Sequence, residues 1–106
     1  MNSKAPRIRE VLYQLAKRGW ITLRQMSPLL GYTYATGIYG RQRSSHPIAT
    51  IRIGSTYRVY ADVVIETLEN APDEDQEASQ AMLSMYRTIK QEQENEQSVR
   101  TTVGRD

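Results

Sequence analysis

The amino-acid sequence predicts a mainly α-helical fold with one small β-hairpin, completed by a C-terminal helix. Three observations carry this reading. Apolar residues recur at helical spacing near both ends, at Ile8, Val11, Leu12 and Leu15 and again at Ala78, Met82, Met85 and Ile89. Between them, Ile48 to Ile53 and Tyr57 to Val59 read as two strands around a tight Gly54-Ser55 turn. Gly31, Pro47 and Pro72 punctuate the chain where such elements would have to end.

Taken in order, residues 7–18 form the first helix, with Pro6 suited to its start and Gly19 to its end. Trp20 and Ile21 make a short extended piece that packs on it. Thr22 caps a second helix, LRQMSPLL, in which Leu23, Met26 and Leu30 point inward and Pro28 is awkward. Gly31 makes the turn, and Thr33 can cap a third helix over about residues 34–43. Gly37 and Gly40 fall inside it at about 1 kcal/mol each relative to Ala. They point either to a close backbone approach or to a short, irregular helix. Ser44 to Pro47 is a turn. A fourth helix opens near Asp62, buries Val63, Val64, Ile65 and Leu68 in part, and stops at Asn70-Ala71-Pro72. The whole divides into a winged helix-turn-helix over residues 1–70, an acidic linker at 71–77, a C-terminal helix at 78–94 and a disordered tail at 95–106. The stripe on the last helix is too thin to stand alone, so it packs on the body or on a second copy.

The chain has 106 residues, which is one domain with an appendage, and 39% hydrophobic content, so the core must be small. It has no Cys, which excludes disulfides, thiolate metal sites and Cys nucleophiles. There is no apolar run long enough for a membrane span, and the N-terminus lacks a secretory apolar segment, so a cytoplasmic location is expected. The net charge of +2 conceals an asymmetry. Residues 1–58 hold ten Lys/Arg and one acid, Glu10, whereas residues 59–106 hold four bases and eleven acids. Surface charge normally mixes both signs, so the skew points to a polyanion partner for the first part.

Double-stranded DNA is the expected partner, and the third helix carries the candidate readers. Tyr34, Ala35 and Thr36 near its start face the major groove, with Thr33 before them. Arg41 and Arg43 at its end suit phosphates, Tyr39 and Gln42 join the set, and Arg24 lies on the preceding helix. Ile38 reads as core. Arg52, Thr56 and Arg58 belong to the hairpin. For Arg58, DNA contact and an ion pair with Asp62 stand level. Five of the seven Tyr lie between residues 32 and 60; Tyr57 and Tyr32 read as packing and Tyr34 as exposed. Met82, Met85, Tyr86 and Ile89 are candidate dimerisation residues. His46, the single His, is a solvated turn residue. No metal site, cofactor site or catalytic constellation is expected, and the protein is not read as an enzyme.

Leu30-Gly31, Thr33, Thr36, Pro47, Ile51-Arg52-Ile53-Gly54, Tyr57-Arg58-Val59 and Asp62 together resemble the winged-helix domains of the MerR, excisionase and AlpA-like group. The resemblance covers about residues 22 to 69. It departs from that group at the additional first helix, at Gly37 and Gly40, and in lacking a long coiled coil or effector domain. It implies a small DNA-binding protein of a bacterial or phage mobile element. The leading expectation is a sequence-specific transcriptional regulator, a repressor acting as a homodimer on an inverted repeat. The second is an excisionase-like architectural factor that bends DNA over tandem sites. The third is an adaptor whose acidic C-terminal half binds a protein.

Overall fold

The structure, a computed structural model, describes residues 7–32 and 34–103, without the side chains of Ala35 and of residues 97–103. Pro6 and Thr33, both expected to start helices, lie outside the described residues.

Helix α1 (Ile8–Arg18) buries Val11, Leu12 and Leu15. Glu10 in its first turn and Lys17 and Arg18 in its last complement the helix dipole. Gly19 closes it with a left-handed φ of 85°, its N–H donating to the Leu15 carbonyl at 2.8 Å. Ile8 was expected on the same face, but it sits at the frayed edge of the packing and stays exposed.

Strand β1 (Trp20–Thr22) follows at once. Ile21 is fully buried, as expected, but the segment is more than packing. It pairs antiparallel with a strand almost forty residues later.

Thr22 then caps helix α2 (Leu23–Met26) through a complete capping box with Gln25. The Thr22 hydroxyl accepts from the Gln25 N–H (3.2 Å), and the Gln25 side chain accepts from the Thr22 N–H (2.9 Å). The single helix expected over residues 23–30 is in fact two pieces. Pro28 has no N–H to continue the α ladder, so the chain tightens into a 3-10 turn over Pro28–Leu30. Gly31 ends it at φ 80°.

Helix α3 spans Ala35–Gln42, inside the expected limits. Its N-cap is Tyr34, which makes no capping hydrogen bond.

The hairpin is formed by β2 (Ile51–Ile53) and β3 (Thr56–Tyr60). The strand expected from Ile48 is shorter, because Ile48 is held by a side chain instead of a strand partner. The sheet order is β1-β3-β2, antiparallel throughout. Trp20 faces Tyr60, Ile21 faces Val59, and Arg58 lies between Thr22 and Ile51. Ile21 and Val59 turn into the core, so Trp20, Thr22, Arg58, Tyr60, Ile51 and Ile53 share the outer face.

Helix α4 (Ala61–Glu69) follows directly and buries Val64 and Leu68. Asp73–Asp75 is a 3-10 turn, and helix α5 (Gln76–Val103) begins immediately after it. The expected linker is therefore only a corner.

Helix α5 packs against both α1 and α4. It buries Ser79, Met82, Leu83, Tyr86 and Ile89, with Met85 half-buried. The expected stripe is rotated: Ala78 and Ala81 are exposed, and Leu83, not singled out from sequence, is buried. Leu and Tyr remove far more apolar surface from water than Ala, so they decide which face turns inward. The helix also runs on to Val103, whereas a disordered tail was expected from residue 95. Helix propagation from a firmly packed first half adds one hydrogen bond per residue fixed, and Gln, Glu and Arg are good helix formers. Residues 104–106 lie outside the described part.

One core joins the five α-helices with β1 and β3, from Val11 on α1 through Ile21, Met26, Ile38, Val59 and Val64 to Leu83 and Ile89 on α5.

Candidate nucleic-acid interface

Among the described side chains of helix α3, Ile38 alone is buried, as expected of that residue. The opposite side is open. Thr36, Tyr39, Gly40 and Arg43 recur at three- and four-residue spacing and are all exposed, so they form one continuous face. Tyr34 stands at its N-terminal edge at 52% exposure. Ala35 is the first helical residue. The face carries no carboxylate.

The two glycines of α3 have different reasons. A Cβ on Gly37 would lie 2.5 Å from the Tyr32 ring, so Gly37 exists to admit that ring. The close approach foreseen there is by a side chain, and Tyr32 is packing, as expected. A Cβ on Gly40 would meet nothing within 4 Å. Nothing inside the protein requires glycine at that exposed position.

The end of α3 is fastened by Gln42 to the segment that leads into the hairpin. Its side-chain amide donates to the Ile48 carbonyl (2.9 Å) and accepts from the Ile48 N–H (2.7 Å). Gln42, expected among the DNA contacts, therefore has both ends of its carboxamide bonded to the backbone of Ile48. Arg41 is half-buried and its Nε donates to the His46 carbonyl at 3.3 Å. That bond holds the 44–47 turn and leaves the outer guanidinium nitrogens without a protein partner among the described residues. Arg43 is exposed beyond the helix end. His46 is exposed, with Nδ1 2.9 Å from the Ser45 hydroxyl.

On the hairpin, Arg52 is exposed and bent back, its Nε donating to the Gly54 carbonyl at 3.0 Å. Its guanidinium lies 5.7 Å from the Tyr57 ring centre. Tyr57 was expected to pack; it is 42% exposed, because the sheet extends beyond the helices at this point. Thr56 is exposed at the start of β3, and Arg24 is exposed on α2. Arg58 does not take the second of its two expected roles. It makes no ion pair with Asp62; it stacks on Trp20, 3.8 Å from the ring centre. Arg18 stacks on the same ring at the same distance. Sequence reading gave Arg18 no role and Trp20 only a packing role on the first helix, whereas Trp20 lies on the outer face of the sheet. Only the pairing of β1 with β3 brings residues 18, 20 and 58 together.

Among the described residues, none of Arg18, Arg24, Arg41, Arg43, Arg52 and Arg58 pairs with a carboxylate. This follows from the segregation of charge along the chain, which leaves the acids of the described residues, apart from Glu10 on α1, on α4, α5 and the corner between them.

The four candidate dimerisation residues are used elsewhere. Met82, Tyr86 and Ile89 are buried in the protein's own core and Met85 is packed against it. An isolated stripe had two ways to be covered, and α1 with α4 supplies the cover. No group of His, Cys, Asp and Glu among the described residues could hold a metal ion. None of the described helices is long and apolar enough to cross a membrane.

No family model, curated protein or solved structure matches this chain.

Proposed function

We propose that this chain is a sequence-specific double-stranded DNA-binding protein of the winged helix-turn-helix type, a small transcriptional regulator. Helix α3 would enter the major groove, and the β2–β3 hairpin would run beside it along the backbone. The single observation that carries the reading is the open face of α3. Thr36, Tyr39, Gly40 and Arg43 form a carboxylate-free surface, and Gln42 ties the helix to Ile48, just ahead of a hairpin that presents Arg52. The element order also supports it. Helix, strand, helix, turn, helix and hairpin, with β1 paired to the second hairpin strand, is compatible with such a domain.

Thr36 and Tyr39 are the residues best placed to touch base edges. Arg43, Arg52 and the free nitrogens of Arg41 are placed for phosphates, which fix position without reading sequence. Gly40 lets the helix backbone approach the groove wall.

A second reading is favoured by one observation. The stripe that would have joined two copies is internal, so nothing on α5's apolar face imposes two-fold symmetry. Successive copies on direct repeats, as an excisionase-like architectural factor would bind, are compatible with that burial.

Selection of bound fragments from random and genomic duplex DNA by the purified chain tests both. An enriched motif is expected. An inverted repeat supports the dimeric repressor, and clustered direct repeats support the architectural factor. If nothing is enriched and no duplex is retained at about 100 mM salt, the DNA reading fails, because a basic face should still register non-specifically. The adaptor reading would then lead.

A further inference from the structure

The Arg18–Trp20–Arg58 stack lies outside the surface formed by α3 and the hairpin tip. The guanidinium carbons of Arg18 and Arg58 each lie 3.8 Å from a ring centre of Trp20, so one indole holds both cations by stacking.

Both cations are positioned before any ligand arrives. Arg18 is fixed by its Nε, which donates to the Trp20 carbonyl at 2.9 Å, and by Nη2, which donates to the Gln25 side chain at 3.0 Å. Gln25 is itself locked in the capping box of α2. Arg58 sits on the central strand, paired on one side with Thr22 and on the other with Ile51. Its guanidinium makes no hydrogen bond or ion pair among the described residues, although the residue is half-buried. The carboxylate nearest in sequence, Asp62, accepts from the Val63 N–H at 3.0 Å, at the start of its own helix.

Two oriented guanidiniums with unspent donors and no neutralising carboxylate match phosphate oxygens, which such planar forks bind bidentately.

We propose that Arg18 and Arg58, both stacked on Trp20, form a second phosphate-binding site on the outer face of the sheet, which takes the sugar-phosphate backbone of duplex DNA. The proposal rests on the DNA-binding reading and extends the footprint beyond α3 and the hairpin tip. Charge selects the polyanion over a protein partner here, although Ile51 and Ile53 on the same face are exposed.

Trp20 is the only tryptophan of the chain, so its fluorescence reports on this site alone. The experiment uses the full chain and a fluorescein-labelled 30-base-pair duplex of random sequence, with affinity measured across a salt series. In the wild type, Trp20 emission changes on adding unlabelled duplex. The R18Q/R58Q variant binds about tenfold more weakly at about 100 mM salt, and the slope of log affinity against log salt falls by about two units. R58Q alone, which leaves the Arg18 anchors intact, lowers it by about one. A stack that only supports the fold would lower the melting temperature of these variants and leave the salt slope unchanged, and that result overturns the proposal. Wild-type affinity in the double variant overturns it too and assigns the patch to a protein contact. If the wild-type chain binds no duplex at all, the DNA reading itself falls, which is a different result from either.

Discussion

Gly37 and Gly40 are three residues apart on one helix, and their surroundings oblige opposite expectations. Gly37→Ala forces a methyl group against the Tyr32 ring, and overpacking of this kind costs about 1–3 kcal/mol. Gly40→Ala meets open space and improves helix propensity by about 0.5–1 kcal/mol. Denaturant titration of the two variants should therefore move in opposite directions. If Gly40 serves close approach to a groove, G40A gains stability while losing DNA affinity. A gain in both would remove Gly40 from the interface. Gln42→Ala separates structure from readout in a similar way. It leaves the Ile48 N–H and carbonyl without their partners and should cost about 1–3 kcal/mol. Its salt slope for DNA should match the wild type, whereas Arg43→Ala should lower the slope by about one unit with little loss of stability.

At the scale of elements, the capping box of α2 fixes more than a helix start. Thr22 is the last residue of β1, the N-cap of α2 and the cross-strand neighbour of Arg58. Its partner Gln25 also receives Arg18. Thr22→Ala removes a cap worth about 1 kcal/mol. It should also loosen the stack, seen as a change in Trp20 emission without any DNA present. An unchanged spectrum would mean that strand pairing alone holds the ring. Most of the element boundaries were legible before the structure, since Thr22, Gly19, Gly31, Pro47 and Pro72 act locally. The division of the second helix at Pro28 was only half legible. A proline limits a helix, but whether the chain bends away or tightens into a 3-10 turn depends on what the next residues pack against.

For the whole molecule, the main consequence is that α5 is part of the core. Leu83→Ala should cost about 2–5 kcal/mol in a single cooperative transition, as for a buried leucine in any one-core domain. An interface leucine between copies would instead make the midpoint depend on protein concentration. Unfolding curves at two concentrations tenfold apart distinguish the cases, and coincident midpoints are expected. The acidic surface of α4 and α5 then lies on the same rigid body as the basic α3, so the charge asymmetry of the sequence becomes a dipolar molecule. Such a molecule would present its basic face to a polyanion during diffusional encounter.

By itself, the sequence determined the segregation of charge, which is a matter of composition, and the helical periodicities, the turn positions and the candidacy of α3, because each of these three depends on residues close together in the chain. Ile38 as the inward anchor, Tyr34 as exposed and His46 as a turn residue were all readable on those terms. Tertiary structure alone decided the rest. The pairing of Ile21 with Val59, the covering of Met82, Tyr86 and Ile89 by α1 and α4, and the meeting of Arg18, Trp20 and Arg58 all join residues far apart in the chain. Local pattern shows that a face is apolar or a side chain cationic. It cannot say which distant surface has the complementary shape, and burial is won by whichever surface does.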